Sequence, residues 1–209
     1  GTETTFFRGQ GYGHGIGMSQ YGAYGAAKSG MSAEAIIAMY FPGTTLRQLP
    51  TTLVRVLITP ATAAAKLSAT GGWTVTTAAG ATTALPAGEL TASNDGGMTI
   101  LMAGNGAEVH RSSGHVTVTP VDASLIAVGG RRYRGAMRLA PQGAKLTVIN
   151  HVDLEQYLLS VVPPEMPASW HPQALGAQAI AARSYAMATR KLSGDFDMYR
   201  DERSQMYGG

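Results

Sequence analysis

The chain has no cysteine among its 209 residues. It can therefore build neither a disulfide framework nor a thiolate zinc site, an absence compatible with export but not proof of it. Charge is sparse too: Asp, Glu, Lys and Arg make up 14% of the residues, and the net charge is only +3. Nucleic-acid binders need clustered Lys and Arg. The one basic cluster here, Arg131-Arg132-Tyr133-Arg134, reads equally well as a solvated turn, so nucleic acid is not expected as a partner. A mild positive charge permits attraction to anionic polymers without requiring it. No apolar run approaches the ~20 residues of a membrane span. Gly1-Thr2-Glu3 also lacks the charged-then-apolar leader of a signal peptide, so export would imply numbering that starts after a removed segment.

What is present allows one large domain or two small lobes with a real core. Glycines alternate at 9, 11, 13, 15 and 17, which strips side chains from one face of an extended segment and permits close approach. His14 is the functional side chain inside that run. A helix is predicted from Met18 or Ser19 to Lys28-Ser29-Gly30, ending in a cation and a glycine. Gly22 and Gly25 weaken it by ~1 kcal/mol each, and small residues there suggest tight packing against another element; Gly22, Gly25 and Ala26 offer a face that can pack closely on the Ala-rich helix around Ala181 and Ala182. Ser32 is a good N-cap for a second short helix, with Glu34 in its first turn, stopping before Phe41-Pro42-Gly43. From Leu53 to about Val128 the pattern is β: LVRVLIT alternates, and WTVTT, MTILM, HVTVT and SLIAV follow between Gly or Pro turns. KLTVINHV (145–152) is a further strand, and Asp153 with Gln156 caps the short helix LEQYLLSVV. The last helix, about 172–192, is small or apolar on nearly every side, which predicts burial.

Glu165 is the sharpest candidate for chemistry. Pro163, Pro164 and Pro167 fence it, and proline fixes its own φ while extending the residue before it. This predicts a carboxylate on a stiff, non-helical link, followed by a helix opening at Pro172. The plainer alternative is a helix-entry carboxylate that meets exposed N–H groups. Residues 11–20 do not make a nucleotide loop, because the third glycine of G-x-G-x-x-G is missing. His110 and His115 fit no common metal spacing, and no metal or other cofactor is expected. Trp73 and Trp170 read as core or cleft-edge aromatics, Trp170 being the better placed to stack on a ligand. An Arg in a buried Ala-rich helix needs a carboxylate or carbonyls, so Arg183 and Tyr185 also read as architectural, with Glu165 as a candidate partner of Arg183.

As a string, Tyr157-Leu158, Val161-Val162-Pro163, Glu165-Met166-Pro167, Trp170 and Gln178–Tyr185 resemble the stage II sporulation protein D family, which includes the amidase enhancer LytB. GYGHGIGMSQYGAYGAAKSG (11–30), Tyr40–Thr44 and, more weakly, Gln205–Gly209 add to the match, roughly half the chain in all. The resemblance implies a lytic transglycosylase of peptidoglycan in which Glu165 serves as acid and then base. His14, Ser19, Gln20, Trp170, Gln178, Arg183 and Tyr185 would be substrate contacts. A water-using glycosidase needs a second, suitably spaced carboxylate; Asp153 and Glu155 are better explained by helix initiation. The competing implication is a non-catalytic wall-binding module that enhances a separate N-acetylmuramoyl-L-alanine amidase. Either way the expected partners are glycan strands and, for the second reading, an amidase, and the expected location is extracellular, at the cell wall.

The family pattern is not followed throughout. Pro164 and Gly176 stand where the family has a small polar residue and a Lys. The GHGIGMSQ block precedes the glutamate block instead of following it, as in a circular permutation. The chain also ends where family members continue with further strands, so part of the cleft is expected beyond Gly209. The expected fold is α/β in the α+β sense: a helical, glycan-facing lobe from residues 1–50 and 141–209, and a β-rich lobe from 51–140.

Overall fold

The computed structural model describes residues 17–209; His14 and the glycines at 9–15 lie outside them. The described residues form four helices and two β-sheets, an α+β fold. The chain divides into two compact units. One holds the described residues up to Arg47 together with Ala168–Ala181, and the other holds Gln48–Pro167 and Ala182–Gly209.

In the first unit, helix α1 (Gln20–Lys28) starts at N-cap Ser19, whose Oγ accepts the Gly22 N–H at 3.1 Å. It ends at Ser29 with Gly30 at φ +90°, the left-handed turn that glycine adopts without cost. Helix α2 (Ala33–Tyr40) starts at Ser32, which accepts from Ala35 N–H. A second cap comes from far along the chain: Gln173 Oε1 accepts the Ala33 N–H at 2.7 Å. Close approach through small residues is real here, but not where the sequence suggested. A Cβ on Gly22 would run into Tyr40 Oη of α2, and one on Gly25 would meet open space. Gly176, by contrast, would bring a Cβ within 3.1 Å of the Ala33 Cβ, so the departure from the family pattern is a packing glycine.

The second unit carries all the strands: β1 (Leu53–Thr62), β2 (Ala64–Ser68), β3 (Trp73–Thr77), β4 (Thr82–Leu85), β5 (Leu90–Asp95), β6 (Met98–Ala103), β7 (Glu108–Ser113), β8 (Val116–Pro120), β9 (Ile126–Val128), β10 (Arg131–Tyr133), β11 (Ala136–Gln142), β12 (Lys145–Asp153) and β13 (Met198–Tyr199). One sheet runs β13-β1-β12-β11-β8-β3-β4 and the other β10-β9-β2-β5-β6-β7. Strand β12 pairs antiparallel with both β1 and β11, so residues 145–153 share a sheet with residues 53–62. Alternation sends Val54, Val56, Val148, Val152, Met137, Leu139, Val116 and Val118 into a core completed by Leu67, Leu90, Leu101 and Trp73. Trp73 donates Nε1–H to the Gly88 carbonyl, which satisfies its one polar atom.

Helix α3 (Leu154–Glu165) adds Tyr157, Leu158 and Val161 to this core. Asp153 caps it by accepting the Glu155 N–H at 2.9 Å. Helix α4 (Pro172–Thr189) runs from the first unit into the second. It buries Ala174, Ala177, Ala182 and Ala186 but leaves Ser184, Tyr185, Ala188 and Thr189 exposed, a stripe rather than the all-round burial expected. The expected end at 192 also falls short, because Lys191 leaves the helix and donates its N–H to the Asp197 carbonyl.

Candidate functional site

Glu165 does not sit on a non-helical link. It is the last residue of α3, and Pro163 and Pro164 both lie inside the helix. A proline deprives the carbonyl four residues back of its helical donor. For Pro164 that carbonyl is Ser160, and it turns instead toward the Gly208 N–H at 3.5 Å. The turn is closed by Met166, whose N–H donates to Val162 O at 3.0 Å and whose side chain is fully buried. The prolines thus stiffen a helix end rather than prevent it, and the half-buried Glu165 side chain leaves from that end.

The C-terminal segment braces the same helix. Tyr207 is buried, stacks on Tyr157 of α3 with ring centroids 4.9 Å apart, and donates its hydroxyl to Asn150 Oδ1 at 2.7 Å. Asn150 is buried and donates both N–H groups, to the Arg134 and Ala136 carbonyls. Burial holds the Tyr157 and Tyr207 phenols above their ordinary pKa, so both stay neutral donors. Tyr157 donates to Gln205 Oε1.

Arg183 grips Glu155 in a two-pronged pair, Nε to Oε1 and Nη2 to Oε2, both 2.6 Å. The pair lowers the Glu155 carboxyl and raises the guanidinium. The carboxylate in that fork is the one in the first turn of α3. Tyr185 is exposed and its carbonyl accepts the Thr189 hydroxyl. His110 lies by Ser112 Oγ and His115 by Arg138, so each is engaged separately. Among the described residues no group of three His, Cys, Asp or Glu side chains could hold a metal ion.

In the first unit, Trp170 is the centre of an aromatic trio. Tyr24 stacks on it at 4.6 Å and 22°, and Tyr21 leans on it at 5.0 Å and 59°. Ser19 is spent on capping α1, while Gln20 opens that helix; Gln178 is half-buried on α4. Glu165, Arg183 and Tyr185 belong to the second unit; Ser19, Gln20, Trp170 and Gln178 belong to the first. Sequence reasoning missed Tyr21, Tyr24, Gln173 and the Glu155 pairing. The spacing of Tyr21, Tyr24 and Lys28 at i, i+3 and i+7 was the available signal for the first two.

The profile of the stage II sporulation protein (SpoIID) family matches residues 142–209. An uncharacterized protein of Brachyspira hyodysenteriae is 36% identical over 87 residues, 39% of this chain and 23% of that protein. The amidase enhancer of Bacillus subtilis is 63% identical over 38 residues, 18% of this chain and 5% of that protein. The chain thus spans less than a quarter of the length of these relatives. No solved structure matches it significantly. No described helix is long and apolar enough to cross a membrane. Residues 142–209, which carry Glu165, Gln178, Arg183, Tyr185 and Tyr207, are thus the part of the chain that is similar to the SpoIID family.

Proposed function

We propose that this chain acts on the glycan of the bacterial cell wall, as a lytic transglycosylase with Glu165 as its acid and base. The observation that carries the reading is a carboxylate at the proline-stiffened end of α3, a helix on whose Tyr157 the buried Tyr207 stacks and whose last turn the buried Met166 closes, within the residues that match SpoIID. One carboxylate suffices for the chemistry. The Glu165 carboxylic acid gives its proton to the glycosidic oxygen as the bond from C1 of N-acetylmuramic acid breaks. The carboxylate then takes the proton of the C6 hydroxyl while O6 closes on C1, leaving a 1,6-anhydro end and no need for water. Hydrolysis would require a second carboxylate about 5–9.5 Å away; Glu155 stands at the opposite end of α3, about 15 Å along its axis, and is paired with Arg183. The site of action on this reading is outside the cytoplasm, with glycan strands as the partner.

The second reading, a binding module that stimulates a separate wall amidase, is favoured by the name of the Bacillus subtilis relative. Digestion of purified wall glycan separates the two. Mass spectrometry of soluble products showing anhydromuramoyl ends supports the enzyme. No such ends, together with faster stem release when an amidase is added, supports the enhancer.

A further inference from the structure

We infer that Tyr21, Tyr24 and Lys28 of α1, with Trp170, form a ledge that holds an acidic sugar: the rings take a pyranose face and Lys28 takes its carboxylate. This rests on the wall-glycan reading above and names which residues of the chain read the sugar.

Tyr21, Tyr24 and Lys28 fall at i, i+3 and i+7, one stripe of α1, while Ala23 and Ala27 turn the opposite way into the interior. Tyr21 is 79% exposed, too open for a core aromatic, yet it is not left to swing, because its ring rests on Trp170 at 5.0 Å. Tyr24 fixes Trp170 from another side at 4.6 Å. Three rings held against each other offer broad apolar area that is already ordered, so little rotamer freedom is lost on binding. A pyranose has an apolar C–H face of matching size that can lie on the ring faces, leaving its edge hydroxyls to water.

Lys28 sets the sign. Its Nζ lies over the Tyr24 ring, 5.5 Å from the centroid, so the ammonium stands beside the aromatic trio. A neutral sugar gains nothing there, whereas a sugar bearing a carboxylate, as N-acetylmuramic acid bears on its lactyl ether, places charge against charge.

The test is titration of the chain with two oligosaccharides of equal length, read by tryptophan fluorescence. The signal comes from Trp170, because the second tryptophan, Trp73, is buried in the core. One ligand is a neutral N-acetylglucosamine oligomer, and the other is a peptide-free strand alternating N-acetylglucosamine with N-acetylmuramic acid. The muramic strand is expected to bind more tightly. Tyr21→Ala should weaken both by about tenfold, as loss of one stacked ring does, Tyr21→Phe should bind like the wild type, and Lys28→Gln should erase the preference between the ligands. Equal affinity for both strands in the wild type, or wild-type binding by Tyr21→Ala with an unchanged melting temperature, overturns the inference. Binding without any anhydromuramoyl product supports the ledge and removes the transglycosylase reading. Cleavage that persists with full affinity in Tyr21→Ala removes the ledge and leaves that reading standing.

Discussion

Two side chains of the second unit report their environments in ways that can be measured. His151 lies on β12 directly opposite Arg55 of β1, with its Nε2 buried and without a hydrogen-bond partner. Burial first, then the Arg138 and Arg55 guanidiniums, lower its pKa to about 4. An unfolded histidine titrates near 6.5. As pH falls below about 6.5 the unfolded chain takes up a proton that the folded chain refuses, so this contribution is full above 6.5, shrinks on acidification, and is gone below about 4. For a partly exposed group it amounts to on the order of 2 kcal/mol. Urea unfolding at intervals from pH 7 to 4 should show that decline, and His151→Phe should flatten it; an identical slope in the variant would contradict the assignment. Arg183 poses the other question, architecture or substrate. If its fork serves Glu155 alone, Arg183→Ala and Glu155→Ala should lose stability equally and bind glycan equally well. Weaker binding in Arg183→Ala only would assign it to substrate.

Among the elements, helices were the more legible. Ser19 and Ser32 announced the N-caps of α1 and α2, and Lys28-Ser29-Gly30 the end of α1, because capping is a local matter of one side chain and one N–H. What local chemistry could not show was where a helix face would land. Gly22 faces Tyr40 and Gly25 faces open space. Gly25→Ala should therefore raise the melting temperature, reflecting up to about 1 kcal/mol of helix propensity, whereas Gly22→Leu should lower it by displacing Tyr40; the opposite order would contradict this packing. The acid loop misled for a similar reason. Two prolines forbid helix interior on local grounds, but at the last turn of α3 their cost is small, since the Ser160 carbonyl finds Gly208. That partner lies at the far end of the sequence. The short strands β2, β4 and β7 were illegible because their one or two large apolar residues stand among alanine, threonine, serine and charged residues, giving little apolar contrast.

Across the chain as a fold, the α+β class was readable from the change of period near Leu53, but the pairing of β12 between β1 and β11 was not. Register between strands some ninety residues apart leaves no mark on a single sequence. The tail was likewise underrated. Tyr207 ties α3 to β12 through Tyr157 and Asn150, and replacing it with Phe leaves the Asn150 oxygen buried without its donor, at about 1–3 kcal/mol. Thermal or urea unfolding should register that loss, and a Tyr207→Phe variant as stable as the wild type would show that the hydroxyl carries nothing. For the candidate site, the sequence led to Glu165 through its motif, while the pairing of Glu155 with Arg183 and the tyrosines beside Trp170 needed the folded chain. The central claim is that Glu165 moves both protons of a glycan cleavage, and Glu165→Gln keeps the shape of the side chain while removing that capacity. The deciding measurement is mass spectrometry of wall glycan treated with wild type and with this variant at matched melting temperature: anhydromuramoyl ends from the wild type and none from Glu165→Gln are expected, and equal release of those ends by both would contradict the account.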